Sequence, residues 1–469
     1  MGLSDAEALR VGRLDAHDQA ALVASGTLSR RELVASALRR IELIDGQVNA
    51  VTHVAADEAL ARADAGGGDD PLAGVPYLLK ASLEYPGWPV TSCSRSRVEA
   101  RGGTVWPFVA ALDVAGLIPV GMSAMPEFGL LTGGEPMLTG AVRNPWTPGH
   151  SAGGSSTGAA AAVAAGIVPL AHASDAAGSI RVPAACCGAI GLKATRGANL
   201  RARAPHVLDD LLCSDGLIGR SVRDVAWGFE RTLAPGAKLS KAKPVAALRI
   251  AVCLTGLDGR APDPAVATAT LAAAKLCESL GCIVEIADLP VAGPPIIEAF
   301  KTIWLHEGGE ITDMIAASNP GRTLDTLLEP WTLGLAEHRH ALALGSTGAA
   351  FEQVAASAVV LAGFFERYDV VLSPVTSTPP PPLGVFDPAG DFEALWTAFW
   401  DYTNYTPLQN IAGTPAITLP LTRSGDLPIG TMFAAGAGHD RTLLALAEAL
   451  EQAAPWGAEW PALLDGRGV

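Results

Sequence analysis

Apolar positions along this chain alternate between helical and strand spacing. In residues 29–44, Leu33, Ala37, Leu38, Ile41 and Ile44 recur at helical intervals, and Ser29 with Glu32 forms the S-x-x-E box that caps a helix start. After the flexible Gly66-Gly67-Gly68 comes a short apolar piece, Gly74 to Leu79, which ends in the charged Lys80. Residues 109–122 then read as a helix followed by the strand Ile118-Pro119-Val120-Gly121. From Gly133 to Gly154 the chain is dense in Gly, Pro, Thr and Asn, which predicts a long structured loop. An Ala-rich helix is expected over Thr157 to Ala165, then a strand over Ile167 to Ala173 that runs straight into Ser174-Asp175-Ala176-Ala177-Gly178-Ser179. Small residues at that exit let backbone approach a ligand closely.

The second half repeats the rhythm. After a polar, basic link at 236–246, Leu248 to Leu254 reads as a strand. Asp263 and Pro264 open a helix to about Leu280, and Cys282 to Ala287 is the returning strand of a βαβ unit. Residues 290–365 read as mostly helical; Tyr368 to Leu372 and Pro415 to Pro420 read as buried strands, with a stiff polyproline piece at Pro379 to Pro382. No internal repeat is visible. The pattern predicts an α/β protein with an open sheet. Four segments are expected: a helical scaffold at 1–65, a core at 66–235, a βαβ unit with a variable helical region at 236–369, and the remainder of the core sheet at 370–469.

Composition narrows the function classes. The 469 residues are 49% apolar and 17% charged, enough for a large core and unlike a disordered chain. A formal charge of −15 argues against a phosphate-binding surface and therefore against nucleic acid as a partner. The first 18 residues lack the apolar stretch of a secretory signal, and the nearly uncharged run Asn144 to Ser174 is broken by Gly and Pro and rich in Ala, so no membrane association is expected. Seven cysteines without a C-x-x-C pair read as reduced thiols, which suggests a cytoplasmic location and neither metal nor cofactor.

Two stretches carry the candidate chemistry: Gly153-Gly154-Ser155-Ser156-Thr157-Gly158, and Asp175-Ala176-Ala177-Gly178-Ser179-Ile180-Arg181-Val182-Pro183-Ala184. Together they resemble the amidase signature family, whose pattern is G-G-S-S-G-G followed by D-x-G-G-S-I-R-x-P-A. The separation of Ser155 and Ser179, 179 − 155 = 24, matches that family. Gly74-Val75-Pro76 with Lys80 resembles its G-V-P-x-x-x-K, Cys187-Gly188 through Lys193 its C-G-x-x-G-L-K, and the run from Gly413 to Gly430 its C-terminal part. The resemblance implies the family's fold, a large mixed, mostly parallel sheet covered by helices on both faces. It also implies hydrolysis of a carbon–nitrogen bond by a Ser-cisSer-Lys triad, with Ser179 as nucleophile, Ser155 as the cis relay and Lys80 as base.

The residue types support these roles. A hydroxyl attacks an amide carbonyl only if its proton leaves as the bond forms. No motif places a histidine for that purpose, whereas a lysine made neutral by burial can serve, and a serine can relay because it donates and accepts at once. Backbone N–H groups of Ala176, Ala177, Gly178 and Ser179 would hold the oxyanion. Ala176-Ala177 departs from the commoner Thr-Gly, and D-A-A-G-S resembles hydrolases of nylon oligomers (the aminohexanoate cyclic dimer), which shifts the expected substrate toward a secondary amide. Ala81 and Ala194 are further departures; at the first, an Asp that could orient Lys80 is common in the family. Phe300, Trp304, Trp331, Phe351, Trp396, Phe399 and Trp400 suggest an apolar or aromatic small-molecule substrate.

Blander readings stand beside these. Arg181 reads as structural, paired near Asp175; Cys186 and Cys187 read as core residues; His172 reads as a satisfied buried histidine. Gly154 to Gly158 also satisfies the G-x-S-x-G of an α/β-hydrolase, with Ser156 as nucleophile, but Asn144 to Gly149 cannot form the strand such an elbow requires. Carbamate or aryl ester cleavage by the same triad, and an amidotransferase A-type subunit, are the alternatives carried forward. A homodimer is allowed for; nothing in the sequence requires one.

Overall fold

The computed structural model describes residues 3–68 and 70–462. Eleven strands form one sheet: β1 (Val51–Val54), β2 (Pro76–Lys80), β3 (Ile118–Ser123), β4 (Leu170–Asp175), β5 (Ile190–Lys193), β6 (Ser214–Gly219), β7 (Arg249–Val252), β8 (Ile283–Ile286), β9 (Val370–Pro374), β10 (Ala416–Ser424) and β11 (Leu427–Ala435). Their spatial order is β1-β3-β2-β4-β6-β5-β10-β11-β9-β7-β8, so all four sequence segments contribute to a single sheet. The sheet is large and mixed, as the resemblance implied. Parallel pairing is concentrated in two blocks, β3-β2-β4 and β9-β7-β8, and antiparallel pairs join them through the middle.

Both faces are covered, which is why the central strands carry apolar residues at consecutive positions rather than alternating with polar ones. In β11, Met432 and Ala434 enter one buried cluster while Phe433 and Ala435 enter another; in β9, Val371 goes to the first and Val370 and Leu372 to the second. Helices Pro264–Ser279 and Asp440–Ala453 cover the second face. The expected capping box is present: Ser29 Oγ accepts from Glu32 N and the Glu32 carboxylate accepts from Ser29 N, starting helix Arg30–Val48.

The observed β4 lies later in the chain than expected. Ile167 N donates to Ala162 O, so that residue still turns off the preceding helix, while Ser174 and Asp175 are drawn into the strand by antiparallel pairing with Asp215 and Ser214 of β6. Helix Ser346–Arg367 is long and apolar enough by length and composition to cross a membrane. It packs through Ala350, Val354, Ser357 and Leu361 against helices Gly293–Ser318 and Pro407–Ala412.

Every residue of helix Thr157–Ala164 is buried. Its small side chains let it sit directly behind the strands, and at Gly158 the approach is closest. A Cβ there would stand 2.3 Å from Ala50 O and 2.4 Å from Ala124 N. Both are backbone atoms that cannot step aside cheaply. Gly158→Ala is therefore expected to destabilise the protein by about 1–3 kcal/mol despite the better helix propensity of alanine. Urea denaturation measures this, and a midpoint at or above that of the wild type would contradict the packing described.

Candidate active site

Strand β2 lies between β3 and β4 and ends at Lys80, whose side chain is 1% exposed. Its Nζ donates to Ser155 Oγ at 2.8 Å and to Ser174 Oγ at 3.0 Å. Ser155 stands just before helix Thr157–Ala164, and the Gly154–Ser155 peptide bond is cis. Ser174 is on β4, next to Lys80's own strand. Ser156 joins the parts: its Oγ donates to Ser174 O and accepts from Ser174 N, both at 3.2 Å, and its N–H donates to Ser179 O. Burial, followed by the positive charge of Arg203, lowers the Lys80 ammonium to about 7, against a partial opposing pull from Asp215. A large fraction of Lys80 is thus neutral near neutral pH.

The loop from Asp175 to Arg181 is shaped by one carboxylate. Asp175 accepts from the N–H groups of Gly178 at 2.7 Å and Ile180 at 3.1 Å, and from Arg181 Nε and Nη2, both at 2.9 Å. Asn410 Nδ2 donates to both its backbone and side-chain oxygens at 2.9 Å. Burial alone would raise this carboxyl, but the charge and hydrogen bonds of Arg181 hold it well below the usual range. Arg181 is fully buried and structural, as expected. Of the N–H groups expected to hold an oxyanion, that of Gly178 is taken by Asp175, while those of Ala176, Ala177 and Ser179 have no hydrogen-bond partner among the described residues. Gly178 has φ of +127°, and a Cβ there would lie 2.3 Å from Thr406 Oγ1, so only glycine fits this turn.

Lys80, Ser155, Ser174, Ala176 and Ser179 all open onto one cavity of about 190 Å³. Its other walls include Phe128, Gly129 and Leu130 from the segment after β3, Leu208, Asp209 and Leu212 from helix Val207–Leu212, Ile303, Trp304, Glu307 and Ile311 from helix Gly293–Ser318, and the guanidinium-bearing Arg203. Sequence reasoning missed Ser174 and most of these wall residues. Ser174 adjoins the signature, a signal that was available; the walls carry no motif. Of the aromatic residues expected at the substrate, Trp304 lines the cavity. Phe399 and Trp400 pack behind the wall instead, against Trp304 at 5.8 Å and against Phe300 at 5.5 Å.

His172 is fully buried on β4, its Nε2 3.1 Å from Asp215 and its pKa lowered by burial, while its Nδ1 has no hydrogen-bond partner among the described residues, so the expected satisfied histidine is satisfied at one nitrogen only. Cys186 and Cys187 are buried and pushed up by burial, which makes them poor nucleophiles. Among the described residues, His206, Glu307 and Glu310 bring ligating atoms within 4.8 Å of one another, and of these Glu307 lines the cavity. His206 Nε2 lies 3.2 Å from the Glu310 carboxylate.

Comparison with known proteins agrees with this geometry. Residues 32–444 match the family model described as Amidase. The chain is 34% identical to the putative amidase AmiC of Mycobacterium tuberculosis, over 95% of this chain and 96% of that one. It is 33% identical to the 6-aminohexanoate-cyclic-dimer hydrolase of Paenarthrobacter ureafaciens, over 96% and 97%. A solved structure of 6-aminohexanoate cyclic dimer hydrolase complexed with substrate superposes with a TM-score of 0.89 at 30% identity, covering 97% of this chain and 99% of that one.

Because Asp175 and Arg181 are both fully buried, removing one charge strands the other without water. Asp175→Asn is expected to cost about 3–5 kcal/mol in urea unfolding. A loss below about 1 kcal/mol, within the range of exposed pairs, would show that the pair does not hold the loop.

Proposed function

The chain belongs to the amidase signature family and is a hydrolase of carbon–nitrogen bonds, and we propose that it cleaves an apolar secondary amide through an acyl-enzyme on Ser179. The observation that carries this reading is Lys80: a buried lysine, lowered to about 7, in hydrogen-bond contact with Ser155 in the cavity that Ser179 lines. In the proposed reaction neutral Lys80 takes the proton of Ser155, which takes that of Ser179 as its Oγ attacks the carbonyl carbon. The N–H groups of Ala176, Ala177 and Ser179 stabilise the oxyanion. Collapse of the tetrahedral state returns the proton through Ser155 to the leaving nitrogen, so the amine departs neutral. Water then enters by the same route and releases the acid. Ser174, the second acceptor of Lys80, orients the amine, a task for which the methyl group of Ala81 has no polar atom.

The apolar lining from Phe128, Leu130, Leu212, Ile303 and Trp304 supports an apolar substrate. The relative known as 6-aminohexanoate-cyclic-dimer hydrolase supports an amide over a carbamate or an aryl ester. A panel of matched anilides, carbamates and aryl esters distinguishes these by their kcat/KM.

Two outcomes are expected. First, kcat/KM rises with pH through about 7 as Lys80 loses its proton, and levels off on the alkaline side. Lys80→Ala lowers kcat roughly a thousandfold or more, and Lys80→Arg does not restore it because a guanidinium stays protonated. Substantial turnover by Lys80→Arg would rule out a neutral amine as base. Second, a fluorophosphonate probe is expected to modify the peptide containing Ser179, with labelling and turnover both lost in Ser179→Ala. Ser155→Ala should be nearly as harmful, since a relay works as part of a unit, and Ser156→Ala milder. An adduct mapped to Ser156 would overturn the nucleophile assignment.

A further inference from the structure

Helix Gly293–Ser318 presents Ile303, Glu307 and Ile311 to the cavity, residues at i, i+4 and i+8 that share one helical face. Glu307 stands between two isoleucines on this helical face, and the cavity it meets is also lined by Arg203 and Asp209. The basic groups near it, His206 and Arg203, offset its charge only in part. No hydrogen bond or ion pair engages the Glu307 carboxylate among the described residues.

The neighbouring basic groups are all engaged elsewhere. Arg203 pairs with Asp215 and lies 3.8 Å from Asp209; His206 is bound to Glu310; Lys80 is bound to Ser155 and Ser174. Burial, then the negative charge of Asp209, pushes the Glu307 carboxyl up to about 7, and His206 and Arg203 offset only part of this. A partly buried carboxylate in an apolar wall is costly unless a partner arrives, and a ligand's ammonium group is such a partner.

We propose that Glu307 is a specificity-determining residue, and that this enzyme takes amides carrying a primary ammonium at one end of an apolar stem, with the scissile carbonyl at Ser179. The inference rests on the hydrolase reading above and names its substrate class. The stem lies along Phe128, Leu212, Ile303 and Ile311, and the ammonium meets Glu307, with Asp209 and Glu310 adding to the negative potential. A carboxylate-ended substrate is repelled by the same groups, which sharpens the selection.

The test compares ω-aminohexanoyl para-nitroanilide with its uncharged isostere heptanoyl para-nitroanilide and with the ω-carboxylate analogue adipoyl para-nitroanilide. In the wild type, kcat/KM is expected to favour the amino compound by about tenfold or more over the isostere, with the carboxylate poorest. Glu307→Gln should collapse the ratio toward unity and Glu307→Asp should keep part of it. In parallel, calorimetry on Ser179→Ala, which needs no turnover, should find ω-aminohexanamide bound about tenfold or more tighter than heptanamide, a difference erased by adding Glu307→Gln. Equal handling of the amino and neutral compounds, a preference that survives Glu307→Gln, or an equal loss on both compounds would overturn the proposal. Binding selectivity in Ser179→Ala without hydrolysis of any anilide by the wild type would support the role of Glu307 and remove the hydrolase reading instead.

Discussion

A single buried carboxylate, Asp175, organises the centre of this molecule. Its two oxygens receive backbone N–H groups from both sides of a tight turn and Nε and Nη2 of the Arg181 guanidinium, while Asn410 reaches in from the far end of the chain. Such a charge is tolerable without water only because every lone pair is claimed. The arrangement curls residues 176–179 so that three backbone N–H groups are left unclaimed beside Ser179. Rigidity in the loop is thus created by the same contacts that leave its inner surface unsatisfied, which is what a site for developing negative charge needs.

The electrostatics around Lys80 follow a different principle. Among the described residues no anion pairs with its ammonium directly, and its hydrogen-bond partners are two neutral hydroxyls. Arg203 is kept nearby but satisfied by Asp215, so it acts on Lys80 through its charge without bonding to it. Burial and this neighbour together lower the proton affinity of the amine. The strand that delivers it is locked between two parallel neighbours, which fixes where the amine stands.

The proposed reacting groups and the cavity walls come from different parts of the fold. Lys80, Ser155, Ser174 and Ser179 stand at the ends of β2 and β4 and on the two small-residue segments beside them. The walls come from helices of low sequence character, steadied by hydrogen bonds such as those from Trp304 and Trp331 to Leu130 O. Wall residues are therefore free to vary without disturbing the sheet that positions Lys80.

Much of this was legible in the sequence, because the features concerned are local. The capping box at Ser29 and Glu32, the strand ending in Lys80, the glycines that admit close backbone approach and the pairing of Asp175 with Arg181 all depend on residues near one another in the chain. Strands β5, β6 and β11 were less visible, since a strand buried on both faces or only a few residues long has no period to read. The end of β4 was misplaced because its last two residues are strand only by virtue of β6. The commitment of Gly178 to Asp175, the second hydroxyl on Lys80 from Ser174, the retreat of Phe399 and Trp400 behind the wall, and the placing of Glu307 on the cavity were decided by tertiary structure alone. Each depends on which groups from distant segments share a space too small for water, and the linear order of residues does not specify that.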